Sequence, residues 1–170
     1  MKSSKNVILI GMPGSGKSTV GVLLAKVLGY RFIDSDLEIQ SQEGKRLPEL
    51  IEEFGTEGFL DIEARVNASI EAERCVIATG GSVVYRDSAM QHLKEIGTVV
   101  YLKLTCEELE ERLGDLRCRG VALQEGQTLQ SLYEERIPLY EKYADITVDE
   151  TNMSVEETME QVVLRYRSRK

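Results

Sequence analysis

Four consecutive apolar residues at 7–10, VILI, stop at a glycine, and similar runs return at 31–33, 75–79, 98–104 and 146–148. Each is short, rich in β-branched residues and bounded by turn residues, which predicts strands buried on both faces. Between them the apolar positions fall at helical spacing. Over 17–28 they are Val20, Leu23, Leu24, Val27 and Leu28, and Gly29 follows as a C-cap. The same reasoning predicts helices over 37–43, 47–54, 59 to about 73, 88–95, 106–113 and 154–167, and one over 128–144 interrupted by Pro138. Residues 116–127 have mixed polarity, two glycines and no clear period, and are read as irregular.

Strands that alternate with helices imply an α/β fold in three layers, a parallel sheet with helices on both faces. Ligands of such sheets bind beyond the carboxyl ends of the strands. The glycine-rich or acidic stretches 11–19, 34–36 and 80–82 each follow a predicted strand, so they point to one site at one edge of one sheet. There is no repeat, low-complexity tract or linker, and residues 1–170 are expected to form a single domain.

Composition narrows the class. With 170 residues, 42% of them hydrophobic, the chain can build one core. A net charge of -8 lacks the basic face of a duplex nucleic-acid binder. No stretch approaches the roughly 20 apolar residues of a membrane span, and the polar residues 1–6 are too few for a signal peptide. Cys75, Cys106 and Cys118 fit neither a disulfide framework nor a metal cluster, and are read as free thiols in a reducing compartment. The expectation is a cytoplasmic monomer that acts on a small molecule, not on nucleic acid or membrane. His92, the only histidine, lies in a predicted surface helix and is read as inert, which disfavours a histidine-based triad.

The chemistry lies in the polar stretches. Residues 11–19, GMPGSGKST, meet the pattern G-x-x-x-x-G-K-[ST] between a strand and a helix. Such a loop holds phosphate oxygens on backbone N–H groups and a helix N-terminus. Gly11, Met12, Pro13, Gly14, Ser15, Gly16, Lys17, Ser18 and Thr19 are therefore assigned to a nucleotide. Lys17 would reach its β- and γ-phosphates and Ser18 would face Mg²⁺. Asp34 and Asp36, just past the second strand, could divide the work of metal support and substrate-hydroxyl activation, or Asp34 could simply cap a helix. Gly80, Gly81 and Ser82 permit close approach of a ligand to backbone, or form an ordinary turn. Arg117 and Arg119 suit a closing lid over 116–127, or a solvated basic loop. Arg136 suits a carboxylate ligand or an ion pair on its own helix.

Taken together, GMPGSGKST, FIDSD, GTEGFLDIE, ATGGSVV, LRCRG and ERIPLYEKYAD resemble the shikimate kinases over about residues 7–163. The resemblance implies a P-loop, nucleoside-monophosphate-kinase-like fold with a five-stranded parallel sheet. It implies ATP and Mg²⁺, and transfer of the γ-phosphoryl group to the 3-hydroxyl of shikimate. By position, Lys17 and Ser18 hold phosphate and magnesium, Asp34 supports the metal, and Asp36 binds substrate hydroxyls as the candidate base. Gly80 and Gly81, with Ser82, form the substrate turn. Arg112 lies beside adenine, Arg119 bridges the two substrates, and Arg136 binds the carboxylate.

Three positions depart from the family pattern. Leu60 replaces one of two arginines that grip the carboxylate, Ser82 replaces the third glycine of a triplet, and Gly120-Val121-Ala122 replaces a proline and leucines after Arg119. Arg65, further along the same predicted helix, is a candidate to stand in for the missing arginine. All three departures fall on the acceptor side or the lid. The readings are therefore a shikimate kinase with a rearranged carboxylate contact, a kinase of another small hydroxylated metabolite, or a nucleotide-binding regulatory protein.

Overall fold

Five parallel strands, β1 (Asn6–Ile10), β2 (Arg31–Asp34), β3 (Cys75–Ala78), β4 (Gly97–Lys103) and β5 (Ile146–Asp149), pair in the order β2-β3-β1-β4-β5. The fold is given by a computed structural model that describes residues 6–113 and 126–169. Every residue of β1 is buried, and the pleat sends alternate side chains to opposite faces. Val7 and Leu9 pack with Val76, Val100 and Leu102 beneath α1 (Lys17–Leu28) and α7 (Val155–Arg167). Ile8 and Ile10 pack with Ile77, Val99 and Tyr101 beneath α4 (Asp87–Ile96), α5 (Cys106–Arg112) and α6 (Leu129–Tyr143). This is the expected three-layer α/β/α arrangement. A third apolar cluster joins α2 (Ser35–Glu43) to α3 (Leu47–Ala68) through Ile39, Leu50, Phe59 and Leu60.

The helices differ from expectation in four places, each with a local cause. The second helix begins at Ser35 and not at Leu37, because Asp34 Oδ1 accepts from the N–H groups of Asp36 and Leu37 and caps it. The stretches expected as separate helices at 47–54 and from 59 are one element, α3, bent at Gly55, where φ is 71° and ψ is 176°. That element stops at Ala68 and does not reach Glu73. Ser69 Oγ takes the Val66 carbonyl at 2.7 Å, and Ile70 turns into the core. Pro138 does not interrupt α6. It is exposed, as is Glu134, whose carbonyl loses its partner and can be served by water.

Cys75 is buried and Cys106 half-buried, both as free thiols. Half-buried His92 pairs through Nε2 with the Ile70 carbonyl at 2.7 Å, a packing role. Among the described residues no helix is long and apolar enough to cross a membrane.

Candidate active site

The carboxyl ends of β1, β2 and β3 converge on a cavity of about 370 Å³. β1 feeds the loop of residues 11–16, and α1 begins at Lys17. Gly14 and Gly16 hold φ at 84° and 87°, a region that β-carbon-bearing residues resist. Gly16 is the N-cap of α1, so no side chain covers the first-turn N–H groups, which lack intrahelical partners. These groups and the helix dipole suit anionic oxygens. Lys17 is only 8% exposed, and its Nζ donates to the carbonyls of Gly11 and Met12 at 2.8 and 2.9 Å. Burial pulls its pKa down to about 8, with the charge of Asp36 opposing.

Asp34 caps α2, one of its two sequence readings, and also reaches the phosphate loop. Oδ1 caps α2, while Oδ2 accepts from Ser18 Oγ at 3.1 Å. Asp36 enters the cavity from the first turn of α2. Burial raises its pKa to about 6, Asp34 adds to the rise, and Lys17 opposes it. The carboxyl therefore titrates close to neutrality, a useful range for a base that accepts a hydroxyl proton.

The far half of the cavity is built from α3, the turn after β3, and α6. Gly80 and Gly81 do not have positive φ; they are needed for space. A Cβ on Gly80 would lie 2.7 Å from Glu63 Oε2 and 2.8 Å from Asp36 Oδ1. One on Gly81 would lie 2.7 Å from Pro13 Cδ and 2.8 Å from Arg136 Nη1. Ser82 is buried, and its Oγ donates to Glu63 Oε1 at 2.6 Å. Arg136, 1% exposed, extends from α6; its Nε donates to Tyr85 Oη at 3.2 Å, and its guanidinium lies 5.2 Å from the Tyr85 ring centre. Tyr140 stacks on Tyr101 and donates to the Gly81 carbonyl at 2.6 Å, which pins the glycine turn to α6.

The cavity thus brings together Pro13, Gly14, Gly16, Lys17, Ser18, Thr19, Asp36, Gly80, Gly81, Ser82 and Arg136 from the sequence assignment. Gly11, Met12 and Ser15 do not line it; Met12 and Ser15 are buried, and Gly11 and Met12 serve as carbonyl acceptors for Lys17. Arg112 lies beside the loop, donating to the Gly14 carbonyl at 3.3 Å and standing 3.7 Å from buried Glu150. Arg117 and Arg119, and the segment 116–125 expected as most of a lid, lie outside the described residues.

The acceptor-side guess about Arg65 is not supported. Arg65 points away from the cavity and pairs with Glu43. Leu60 does not line the main cavity either; it is 5% exposed in the α2–α3 cluster, beside a separate space of about 80 Å³ shared with Tyr85 and Arg86. Arg86 is engaged by Glu57 at 2.7 Å and Asp61 at 3.0 Å. Among the described residues lining the main cavity, the cations are Lys17 and Arg136.

Glu63, Phe59, Thr79 and Tyr85 were not singled out from sequence. For Glu63 a signal existed. It sits four residues after Phe59 and four before Asn67, on the buried stripe of α3, where a carboxylate has no packing reason to be. Burial pushes its pKa up to about 7, against the hydrogen bond from Ser82, with Asp36 adding to the rise.

Known proteins match this chain along nearly its whole length. A family model described as shikimate kinase matches residues 13–167. A shikimate kinase of Thermodesulfovibrio yellowstonii is 38% identical over 165 residues, covering 95% of each chain. One of Thiobacillus denitrificans is 40% identical over 159 residues, covering 91% of this chain and 86% of the relative. Among solved structures, shikimate kinase from Acinetobacter baumannii in complex with shikimate superposes with a TM-score of 0.87 at 31% identity, covering 99% of this chain and 96% of that one. A thymidylate kinase from Candida albicans, at 12% identity and a TM-score of 0.61, shares the fold alone.

Proposed function

This chain belongs to the shikimate kinase family, and on that premise we propose that it transfers the γ-phosphoryl group of ATP to the 3-hydroxyl of shikimate. The observation that carries the reading is one cavity that joins the phosphate loop at Lys17 and Ser18 to Asp36 and Arg136. The loop amides and Lys17 hold the triphosphate. Arg136 takes the shikimate carboxylate, because a buried guanidinium suits a planar anion. Asp36 orients the reacting hydroxyl and accepts its proton as oxygen attacks the γ-phosphorus and the bond to the β–γ bridging oxygen breaks. ADP and shikimate 3-phosphate leave, and the proton passes to solvent.

Ser18 Oγ and Asp34 Oδ2 are two hard oxygen donors 3.1 Å apart, a set that fits Mg²⁺ completed by phosphate oxygens and water. When bound there, the ion would offset phosphate charge. Cytoplasmic location belongs to the same proposal, supported by the free thiols of Cys75 and Cys106.

The test is ADP release by purified protein with ATP, Mg²⁺ and saturating shikimate, against a control without acceptor. Shikimate-dependent release supports the assignment; release no faster than the control refutes it. One observation favours a second acceptor class. With Leu60 buried away from the cavity, Arg136 is the acceptor-side cation among the described lining residues, so a less anionic polyol is the alternative substrate to assay.

A further inference from the structure

Glu150 is a buried carboxyl outside the reaction cavity. It follows β5 directly; its N–H donates to the Lys103 carbonyl at 3.0 Å, and its own carbonyl accepts from Met153 at 3.0 Å. The residue is 3% exposed, yet its Oε1 has no hydrogen-bond partner among the described residues. Beside that oxygen, at 3.7 Å, stands Arg112 Nη1. The same nitrogen donates to the Gly14 carbonyl of the phosphate loop at 3.3 Å. One guanidinium nitrogen thus spans the loop and a carboxyl that has no packing reason to be buried.

We propose that Glu150 is a positioning residue for the nucleotide: it aims Arg112 onto the Gly14 carbonyl, and Arg112 thereby holds the phosphate loop in its anion-binding form. The ligand part that benefits is the polyphosphate chain, whatever base it carries. This rests on the reading of the loop as a triphosphate site.

The peptide between Gly14 and Ser15 shows why such a hold matters. Gly14 has φ at 84°, a region that glycine enters and leaves freely. The Ser15 N–H donates to the Met12 carbonyl at 3.1 Å, and Arg112 takes the Gly14 carbonyl, so this peptide is tied from both sides. With it fixed, the remaining loop amides are pre-aimed at one concavity. Arg112 ends α5, and its side chain is 42% exposed. A long, exposed side chain samples many rotamers unless something confines it, and the buried charge of Glu150 does so. Burial pushes the Glu150 pKa up to about 7; Arg112 and Lys17 hold it down, while Glu108 and Asp149 add to the rise. At about pH 8 the carboxyl is mostly ionised and the pair is formed.

The test is calorimetric binding, at about pH 8 and without acceptor, of Mg-ATP and of magnesium tripolyphosphate, which has no base or sugar. The proteins are wild type, Glu150→Gln, Arg112→Gln and the double variant. Glu150→Gln should weaken both ligands by the same factor, at least threefold, within the about 2- to 150-fold by which coupled neighbours act on each other. In the Arg112→Gln background the same change should add less than twofold. If Glu150→Gln does not fold, Glu150→Asp, which keeps the charge but draws it back by one methylene, takes its place. Weakening of ATP alone would mean that the pair serves the base, and overturns the proposal. Tighter binding in Glu150→Gln would make the carboxylate a repelling charge and overturns it too, as does an equal loss with and without Arg112. Wild type that binds ATP but not tripolyphosphate overturns it as well, because a pre-set loop must hold the chain alone. Wild type that binds neither overturns the proposed function itself.

Discussion

Replacing Arg136 by methionine isolates its charge from its volume. The side chain is 1% exposed, its Nε donates to Tyr85 at 3.2 Å, and its Nη1 lies 2.8 Å from where a Cβ on Gly81 would stand. Methionine fills similar space and adapts to irregular gaps, so the turn and α6 stay packed. What disappears, on the proposed function, is a desolvated, charge-assisted contact to the acceptor carboxylate. Losing such a contact costs about 2–5 kcal/mol, or roughly 30- to several-thousand-fold in acceptor affinity. Lys17 cannot compensate, because it belongs to the phosphate end and bonds to the carbonyls of Gly11 and Met12. Arg86 cannot either, since Glu57 and Asp61 already hold it. In an ADP-release assay at saturating ATP, the shikimate KM should rise at least 30-fold, with the ATP KM changed by less than about threefold. Arg136→Lys should fall between, because an ammonium keeps charge but not the planar fork or the Tyr85 stack. A shikimate KM within threefold of wild type in Arg136→Met would refute the reasoning and place the carboxylate elsewhere.

Three further outcomes follow from the same geometry. Lys17 has a pKa near 8 in the free site, so triphosphate binding at pH 9 should take up close to one proton and at pH 6.5 none through this group; calorimetry in buffers of different ionisation enthalpy measures this, and equal uptake at both pH values would refute it. Glu63, raised from 4.5 to about 7, favours the folded state less as pH climbs through that window. Glu63→Gln should therefore gain on wild type by on the order of 3 kcal/mol between pH 4.5 and 8 in urea melts, and parallel stability profiles would contradict the shift. Leu60→Arg would place a guanidinium beside the roughly 80 Å³ space next to Tyr85; it should lower the shikimate KM at least threefold while lowering Tm, and an unchanged KM would show that a guanidinium at this position does not reach the acceptor carboxylate.

The fold was largely legible because its signals are local. Each strand is a short apolar run, and Lys17–Leu28 ends at a glycine, as its sequence announces. The errors arose where tertiary context overrode a local rule. Pro138 reads as a break, yet its lost hydrogen bond falls on an exposed face. The stretch after Phe59 reads as helical to Glu73, yet Ile70 must leave the helix to reach the core. Gly55 falls between two stretches that read as separate helices, but it is a bend that sends the second half of α3, with Phe59 and Glu63, toward the cavity.

The two halves of the site were unequally legible because they are made of different material. The phosphate half is mostly backbone. Its glycines, lysine and serine are contiguous, so one stretch of nine residues carries the whole pattern. The acceptor half is side chains brought from α2, α3, the β3 turn and α6, and Glu63 and Arg136 stand 73 positions apart in the chain. No local spacing announces such a set. Contacts between its members can also change together, as backbone amides cannot. Ser82 illustrates the point. As a departure from a glycine triplet it reads only as added bulk, but in the fold its hydroxyl is the partner of a buried carboxyl on α3. Leu60, three residues before that carboxyl, supplies no charge to it and packs with α2 instead. The serine provides a neutral donor that holds one carboxyl oxygen while leaving the other directed over Gly80.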